Sequence, residues 1–343
     1  MTLRVGMLGP VAWRTPPDDY GPWERVTSLL TEGLVRRGVE VTLFATADSV
    51  TEARLDPVVP HGYASDPSMD GRVWEALHVA HAMTRSAEVD IVHNQLDWLP
   101  LAFGAQWRAP MLTTIHGFSG AATLPVYESA SSAFVSISDS DRSPKLDYIA
   151  TVHHGIDPAE LPVALSPDDY LVCFGRIHPD KGTAQAIEIA RRAGRRLVIC
   201  GIVHDQEYFA SEVAPHIDGN RVEFRGSVGA TDRAHILGNA AALLHPIAFN
   251  EPFGLSVVEA MMCGTPVIAY RRGSMSEVVD DGITGRTVAT LEQAVSAVDD
   301  IVALDRRQVH EQAAARFGVE RMVDDYLSVY EQILAAQPRP VHS

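Results

Sequence analysis

Two stretches of the 343-residue chain carry side chains able to hold a charged, polyhydroxylated ligand. In the first, the apolar run Tyr170-Leu171-Val172-Cys173-Phe174 ends in Gly175-Arg176, and Lys181-Gly182 opens a helical pattern from Thr183 to Arg192. That order places two cations beside a helix N-terminus at the carboxyl end of a strand, where backbone N–H groups and the helix dipole already favour an anion. A diphosphate is the natural occupant. Two solvated surface cations are the alternative, a weaker one in a chain with 28 Lys and Arg against 44 Asp and Glu. The second stretch, Asn250 to Pro266, holds Glu251, Phe253, Gly254, Leu255 and Glu259. From Leu255 to Cys263 the helical pattern is apolar except for Ser256 and Glu259, and Glu259 shares a face with Leu255, Val258 and Met262. A carboxylate there needs a partner, because burying it alone costs several kcal/mol; a neighbouring cation or a ligand's hydroxyl pair would serve. Glu251 precedes that helix on a loop where Gly254 lets backbone approach a ligand closely. Two carboxylates so spaced suit the two ends of an elongated polyhydroxyl ligand. As an acid pair for hydrolysis they are ambiguous, since the helix and not a scissile bond sets their separation.

Polar residues recur just past the other apolar runs: His93-Asn94, His116-Gly117, Ser136, Ser138, His153-His154-Gly155 and His245. His93 and His153 read as partners of buried backbone. Gly9, Pro10, Pro16, Pro17, Gly21 and Pro22 fill a first loop longer than usual for a strand-to-helix connection. It lacks the G-x-G-x-x-G dinucleotide fingerprint, which weakens NAD binding, while Gly21 could admit a phosphate or sugar to the helix start; an ordinary turn is the alternative.

These residues need a scaffold, and short β-branched runs alternating with helical patterns supply one: α/β, with doubly wound parallel sheets. Strands are expected near 3–8, 39–45, 89–93, 111–115, 133–138 and 149–153, then 170–174, 196–200, 221–225, 242–245 and 266–270. A first helix with Trp23, Val26, Leu30 and Leu34 on one face stops at Gly38, and a last one over about 319–335 carries Met322, Val323, Tyr326, Val329, Tyr330 and Leu334. The Pro- and acid-rich segment 157–169 reads as a linker, so the length divides into two domains with a ligand cleft between their sheets' carboxyl edges. A formal charge of −16 disfavours nucleic acid and anionic membrane surfaces. Cys173, Cys200 and Cys263 sit singly in apolar runs, which fits reduced core thiols and a cytoplasmic location. Neither a membrane span nor a signal peptide is evident.

The second half resembles the family 4 glycosyltransferases, retaining enzymes of the two-Rossmann GT-B architecture. The resemblance rests on Gly175 to Gly182, Leu197 to Gly201, Val222 to Gly226, the E-x7-E spacing of Glu251 and Glu259 within 251–266, Ser274 to Glu277 and Asp281 to Gly285. Tyr20-Gly21, Arg37 to Val41, His116-Gly117 and His154 to Asp157 extend it to the first half. It implies a Rossmann-like acceptor-side domain at 1–160, a donor-side domain at 161–318, and a C-terminal helix, 319–343, returning to the first. It further implies that Gly175, Arg176 and Lys181 hold the donor diphosphate, Glu259 the ribose hydroxyls and Glu251 the donor sugar. Main-chain N–H groups of Phe253, Gly254 and Leu255 would meet sugar and phosphate, His116 would reach the sugar near the reacting carbon, and Gly21 would begin a glycine loop under the phosphates. Pro22 departs from the pattern where relatives carry a second Gly, removing an amide contact; His154 departs where Asn is usual.

The implied reaction moves a hexosyl unit, mannose from GDP-mannose or else glucose from UDP-glucose, to a hydroxyl of a saccharide or small molecule. Configuration is retained and the diphosphate takes the acceptor proton. No cofactor and no metal is expected, since the chain offers no convincing metal-ligand spacing. A nucleotide-sugar 2-epimerase of the same fold and a non-catalytic nucleotide-sugar-binding protein are the alternatives. The oligomeric state is left open, a homodimer included.

Overall fold

A computed structural model describes residues 2–18, 20–117 and 120–337. The chain divides into two compact units, Met1–Gly155 with Val319–Ser343, and Ile156–Gly318.

The first unit is ordered β1 (Arg4–Leu8), α1 (Pro22–Arg36), β2 (Glu40–Phe44), β3 (Arg54–Leu55), α2 (Gly71–Arg85), β4 (Ile91–Asn94), β5 (Met111–Ile115), α3 (Leu124–Ser129), β6 (Ala133–Ser136) and β7 (Tyr148–Thr151). Its parallel sheet has the order β3-β2-β1-β4-β5-β6-β7, so the winding direction reverses between β1 and β4. The second unit is ordered β8 (Tyr170–Phe174), α4 (Thr183–Arg192), β9 (Arg196–Cys200), α5 (Gln206–Tyr208), β10 (Val222–Gly226), α6 (Ala230–Asn239), β11 (Ala242–His245), α7 (Leu255–Met262), β12 (Val267–Tyr270), α8 (Met275–Val278), β13 (Gly285–Val288), α9 (Leu291–Ile301) and α10 (Arg306–Phe317). Its order is β10-β9-β8-β11-β12-β13, with the reversal between β8 and β11. At such a switch point the loops leaving two adjacent strands diverge to opposite faces and open a crevice for a ligand.

The central strands are buried on both faces because they are apolar throughout: Leu171, Val172, Leu243, Leu244, Val267 and Ile268 are at most 1% exposed. The closing helix α11 (Val319–Ala336) belongs to the first unit, where it packs on α1. It buries Val319, Met322, Val323, Tyr326, Val329, Tyr330 and Ile333, a stripe at helical spacing. At the crossing, a Cβ on Gly33 of α1 would lie 2.3 Å from Val323 Cγ2, so a mid-helix glycine permits the approach.

Three points depart from the sequence reading. Strands β3 and β13 were not foreseen: β3 has two residues, and in β13 only Gly285 and Val288 are buried, so neither is an apolar run. The strand expected to reach 138 ends at Ser136, whose hydroxyl donates to Ser138 O at 2.6 Å. The first helix stops at Gly38 as the sequence reading has it: its last residue is Arg36, Arg37 is the C-cap and Gly38 follows in the left-handed region at φ 80°. The units meet at Gly155 and Ile156 and not at 160, because Ile156 bridges Gly318 and its N–H donates to Phe317 O at 2.9 Å. Beyond that point the proline-rich segment is packed on the second unit. Leu161 is 2% exposed and Ala164 N–H donates to Cys263 O. Arg306 Nε donates to Ala164 O, while Nη1 and Nη2 reach Ala240 O, Gly238 O and Thr265 Oγ1.

Candidate active site

In the second unit, both loops at the switch point carry the residues singled out from sequence. After β8, Gly175 N–H donates to Cys200 O at 3.0 Å, and a Cβ on Gly201 would lie 1.8 Å from Gly175 O. Two backbones therefore touch here, and Gly201, at φ 147°, admits the contact. Arg176 follows half-buried, its Nη2 at 3.7 Å from Asp180 Oδ2. A single 3-10 turn, Pro179–Lys181, delivers Lys181 to the start of α4. Gly182 is the N-cap at φ 70°, with no side-chain cap, and a Cβ there would fall 2.0 Å from Pro246 O. Ala248 N–H donates to Asp180 O at 2.7 Å, tying the loop after β11 to the loop after β8.

Lys181 Nζ donates to Glu251 Oε2 at 2.8 Å and lies 4.4 Å from the centre of the Phe249 ring. His245, the last residue of β11, brings Nε2 to 3.4 Å from the same oxygen. Burial pushes the Glu251 carboxyl up, but the adjacent His245 ring and the charge of Lys181 outweigh it and hold the group at about 2. The cation foreseen for phosphate and the carboxylate foreseen for the sugar are thus one ion pair. Gly273 bridges Glu251, and Ser274 donates through N–H to Glu251 O and through Oγ to Phe253 O, which fixes the loop carrying Glu251, Phe253 and Gly254. Gly254, at φ 93°, is the N-cap of α7 and leaves Leu255 at a helix start with no side-chain cap. Glu259, 5% exposed, receives Arg233 Nη1 at 3.1 Å. Of the two partners foreseen for Glu259, the cation is present. Sequence reading missed Arg233, which looks like a solvent-facing residue of α6, and Phe249, which precedes Asn250 as one more apolar residue.

In the first unit, Gly21 is the N-cap of α1 at φ 153°, and a Cβ there would meet Pro17 and Glu24 Oε2 within 2.9 Å. Pro22 takes the first helical position, where a missing N–H costs no helix bond and its fixed φ fits the helix. Glu24 is buried, accepts from Trp13 N–H at 3.2 Å, and is pushed by burial up to about 7. His116 follows β5 at 7% exposure, stacked on Trp23 with ring centroids 5.1 Å apart. Its Nε2 bonds to Gln95 Oε1 at 2.6 Å and its Nδ1 lies 3.4 Å from His154 Nε2. Burial pushes His116 down to about 3, so the ring is neutral. Contrary to the sequence reading, His93 does not serve backbone: its nitrogens meet Tyr330 Oη, Thr114 Oγ1 and Gln95 Nε2 at 2.7, 2.8 and 3.0 Å. The His153 carbonyl accepts from Arg321 Nη2 at 2.6 Å.

Among the described residues, no group of three or more His, Cys, Asp or Glu side chains is placed to hold a metal ion. Asp139 and Asp141, a D-x-D triplet passed over in the sequence reading, lie in the turn after β6, where Thr151 Oγ1 donates to Asp139. The three cysteines are buried and free, and burial pushes each thiol up to about 12. No described helix is long and apolar enough to cross a membrane.

Fold and site meet in two family models: residues 23–160 match Glycosyltransferase Family 4, and residues 163–316 match Glycosyl transferases group 1. The chain belongs to the family 4 glycosyltransferases, and its two parallel-sheet units are those of the GT-B architecture. It is similar to a glycogen synthase of Mycobacterium tuberculosis, 29% identical over 383 residues covering 92% of this chain and 90% of the relative. Two solved structures share the fold. A sucrose-phosphate synthase from Thermosynechococcus elongatus has a TM-score of 0.79 at 18% identity, over 98% of this chain and 100% of its own. Anabaena HepE, in complex with UDP and glucose, has a TM-score of 0.74 at 18% identity, over 96% of this chain and 100% of its own.

Proposed function

We propose that this protein transfers a hexosyl unit from a nucleoside-diphosphate sugar to a hydroxyl of a saccharide or small molecule, with retention of configuration and without a metal. The observation that carries the reading is the convergence at the second unit's switch point. Arg176, Lys181 and the N-terminus of α4 share one edge with Glu251 and Glu259. Fixed cations and helix dipoles stabilise a diphosphate as it leaves, without reorganising when charge develops. In this reading Lys181 neutralises the β-phosphate while holding Glu251, whose deprotonated carboxyl accepts from sugar hydroxyls. Glu259 accepts from the ribose diol, and Phe253, Gly254 and Leu255 present N–H groups. His116, neutral and clamped, does not serve as a proton donor. The acceptor proton goes to the departing diphosphate, so no side chain serves as general base.

We favour UDP-glucose over GDP-mannose as donor, because the relatives named above make glycogen or bind UDP with glucose. Calorimetric titration with UDP, ADP and GDP tests the nucleotide site: at least one binds, and failure of all three overturns the reading. Incubation with UDP-glucose or GDP-mannose and an acceptor glycan, with and without EDTA, tests the reaction. The expected product keeps the donor's anomeric configuration by NMR and forms equally in EDTA. A sugar product formed without acceptor would instead indicate an epimerase.

A further inference from the structure

We infer that Arg233 is a positioning residue that makes Glu259 a selective acceptor for the two ribose hydroxyls, and so sets the preference for ribonucleotide donors; this rests on the nucleotide-binding reading above. Glu259 sits on a helix whose other residues from Val257 to Met262 are apolar and buried. Such a carboxylate keeps its charge only beside a cation, and Arg233 Nη1 at 3.1 Å supplies one. Arg233 is itself held. It stands in the first turns of α6, with its N–H donating to Gly229 O at 2.9 Å, and its guanidinium lies 5.6 Å from the centre of the Phe174 ring. Phe174 ends β8, one residue before Gly175 and two before Arg176. One guanidinium therefore joins the strand that launches the phosphate loop to the helix that carries the ribose carboxylate.

An ionised carboxylate has about four acceptor sites, so a guanidinium on it leaves acceptor capacity for hydroxyl donors. A protonated carboxyl would turn one oxygen into a donor and lose one of the two hydroxyl contacts. Arginine is suited to the task because its planar fork stays charged when buried and stacks on an aromatic face. Side-chain exposures of 14% for Arg233 and 6% for Glu259 keep the pair out of bulk water, where it would be worth little.

The test compares UDP, ADP and GDP with their 2′-deoxy counterparts by calorimetry, on the wild type, Arg233→Met and Arg233→Lys, with inorganic pyrophosphate as a separate ligand. The wild type is expected to favour the ribonucleotide. Arg233→Met should weaken ribonucleotide binding about tenfold, the size of one charge-assisted hydrogen bond. Deoxynucleotide and pyrophosphate binding should change by less than about twofold, and Arg233→Lys should recover part of the preference. An unchanged ribo-to-deoxy ratio in Arg233→Met, or in Arg233→Lys if the first variant does not fold, overturns the inference. An equal loss of pyrophosphate affinity also overturns it, because Arg233 would then be a phosphate ligand. If the wild type binds no nucleoside diphosphate, the nucleotide reading itself fails and this inference with it; a wild type that binds but does not discriminate defeats the inference alone.

Discussion

Along the carboxyl edge of the first unit's sheet the buried histidines are neutral: His93, His116 and His154 have pKa values pushed down, and His93 and His116 bond to Gln95, Thr114 and Tyr330. At the switch point of the second unit the polar side chains are ions: Lys181 with Glu251, Arg233 with Glu259, and Arg176 near Asp180. Both edges come from the same winding rule, yet one is a set of fixed dipoles and the other a set of fixed charges. The comparison teaches that the fold supplies the crevice while side-chain ionisation decides its task. Charges suit a leaving diphosphate, and neutral rings suit hydroxyls that must be oriented without being titrated.

The sharpest way to break this comparison is to remove the charges. Lys181→Ala and Arg176→Ala should each lower turnover by about 10²-fold or more, the scale of a lost transition-state donor. Gln95→Leu, on the neutral edge, should leave nucleotide affinity within about twofold while lowering turnover, because its partner His116 is a dipole that needs alignment. Near-normal turnover in both charge variants would erase the distinction.

Next in size is a structural charge. Arg306, whose guanidinium bonds to three carbonyl groups and Thr265, is buried enough to be pushed down to about 10. Arg306→Met leaves those acceptors without their donor and should cost on the order of 2–3 kcal/mol. All five tryptophans, at 13, 23, 74, 98 and 107, lie in the first unit, so their fluorescence reports that unit. Urea unfolding should therefore shift in far-ultraviolet circular dichroism more than in tryptophan fluorescence; equal shifts would mean the units melt as one.

Acid should separate the edges as well. The histidines' folded pKa values lie below the usual 6.5, at about 3 for His93 and His116, so their stabilising contribution is complete above 6.5 and is lost as pH falls toward 3. Glu24, raised from 4.5 to about 7, works the other way, with its contribution present below 4.5 and lost as pH rises through 7. Glu251, lowered from 4.5 to about 2, matters only as pH falls below 4.5. With His78 the first unit has four buried histidines of lowered pKa against two glutamates, Glu24 and Glu75, of raised pKa, so the melting temperature read by tryptophan fluorescence should drop between pH 6.5 and 4.5. A flat profile there would contradict burial of neutral rings. The smallest effect belongs to the surface pairs of Arg37 with Glu320 and Asp324, where solvent screens the charges and Arg37→Ala should leave the urea midpoint nearly unchanged.

Much of the charged edge was legible in the sequence, because a strand followed by Gly-Arg and then Lys-Gly, and a carboxylate inside an apolar helix, are local patterns. What those patterns could not reveal is which partner each ion takes. Lys181 and Glu251, 70 positions apart, meet because β8 lies beside β11, and Arg233 and Glu259, 26 apart, meet because α6 packs on α7. The neutral edge was less legible. His93 bonds to Tyr330, 237 positions on, through a helix whose apolar stripe was readable but whose docking face was not. Strands β3 and β13 escaped because edge strands need not be apolar.

The placement of α11 also orders events during synthesis. Residues 156–318 form a contiguous unit, whereas the first unit is closed by a helix made after it. Until Tyr326 and Tyr330 emerge, the hydroxyls that cap Thr114 and His93 are missing from a core already exposed to solvent. The half of the molecule translated first is the half completed last, and a nascent chain stalled before residue 319 would hold a finished second unit and an unfinished first one.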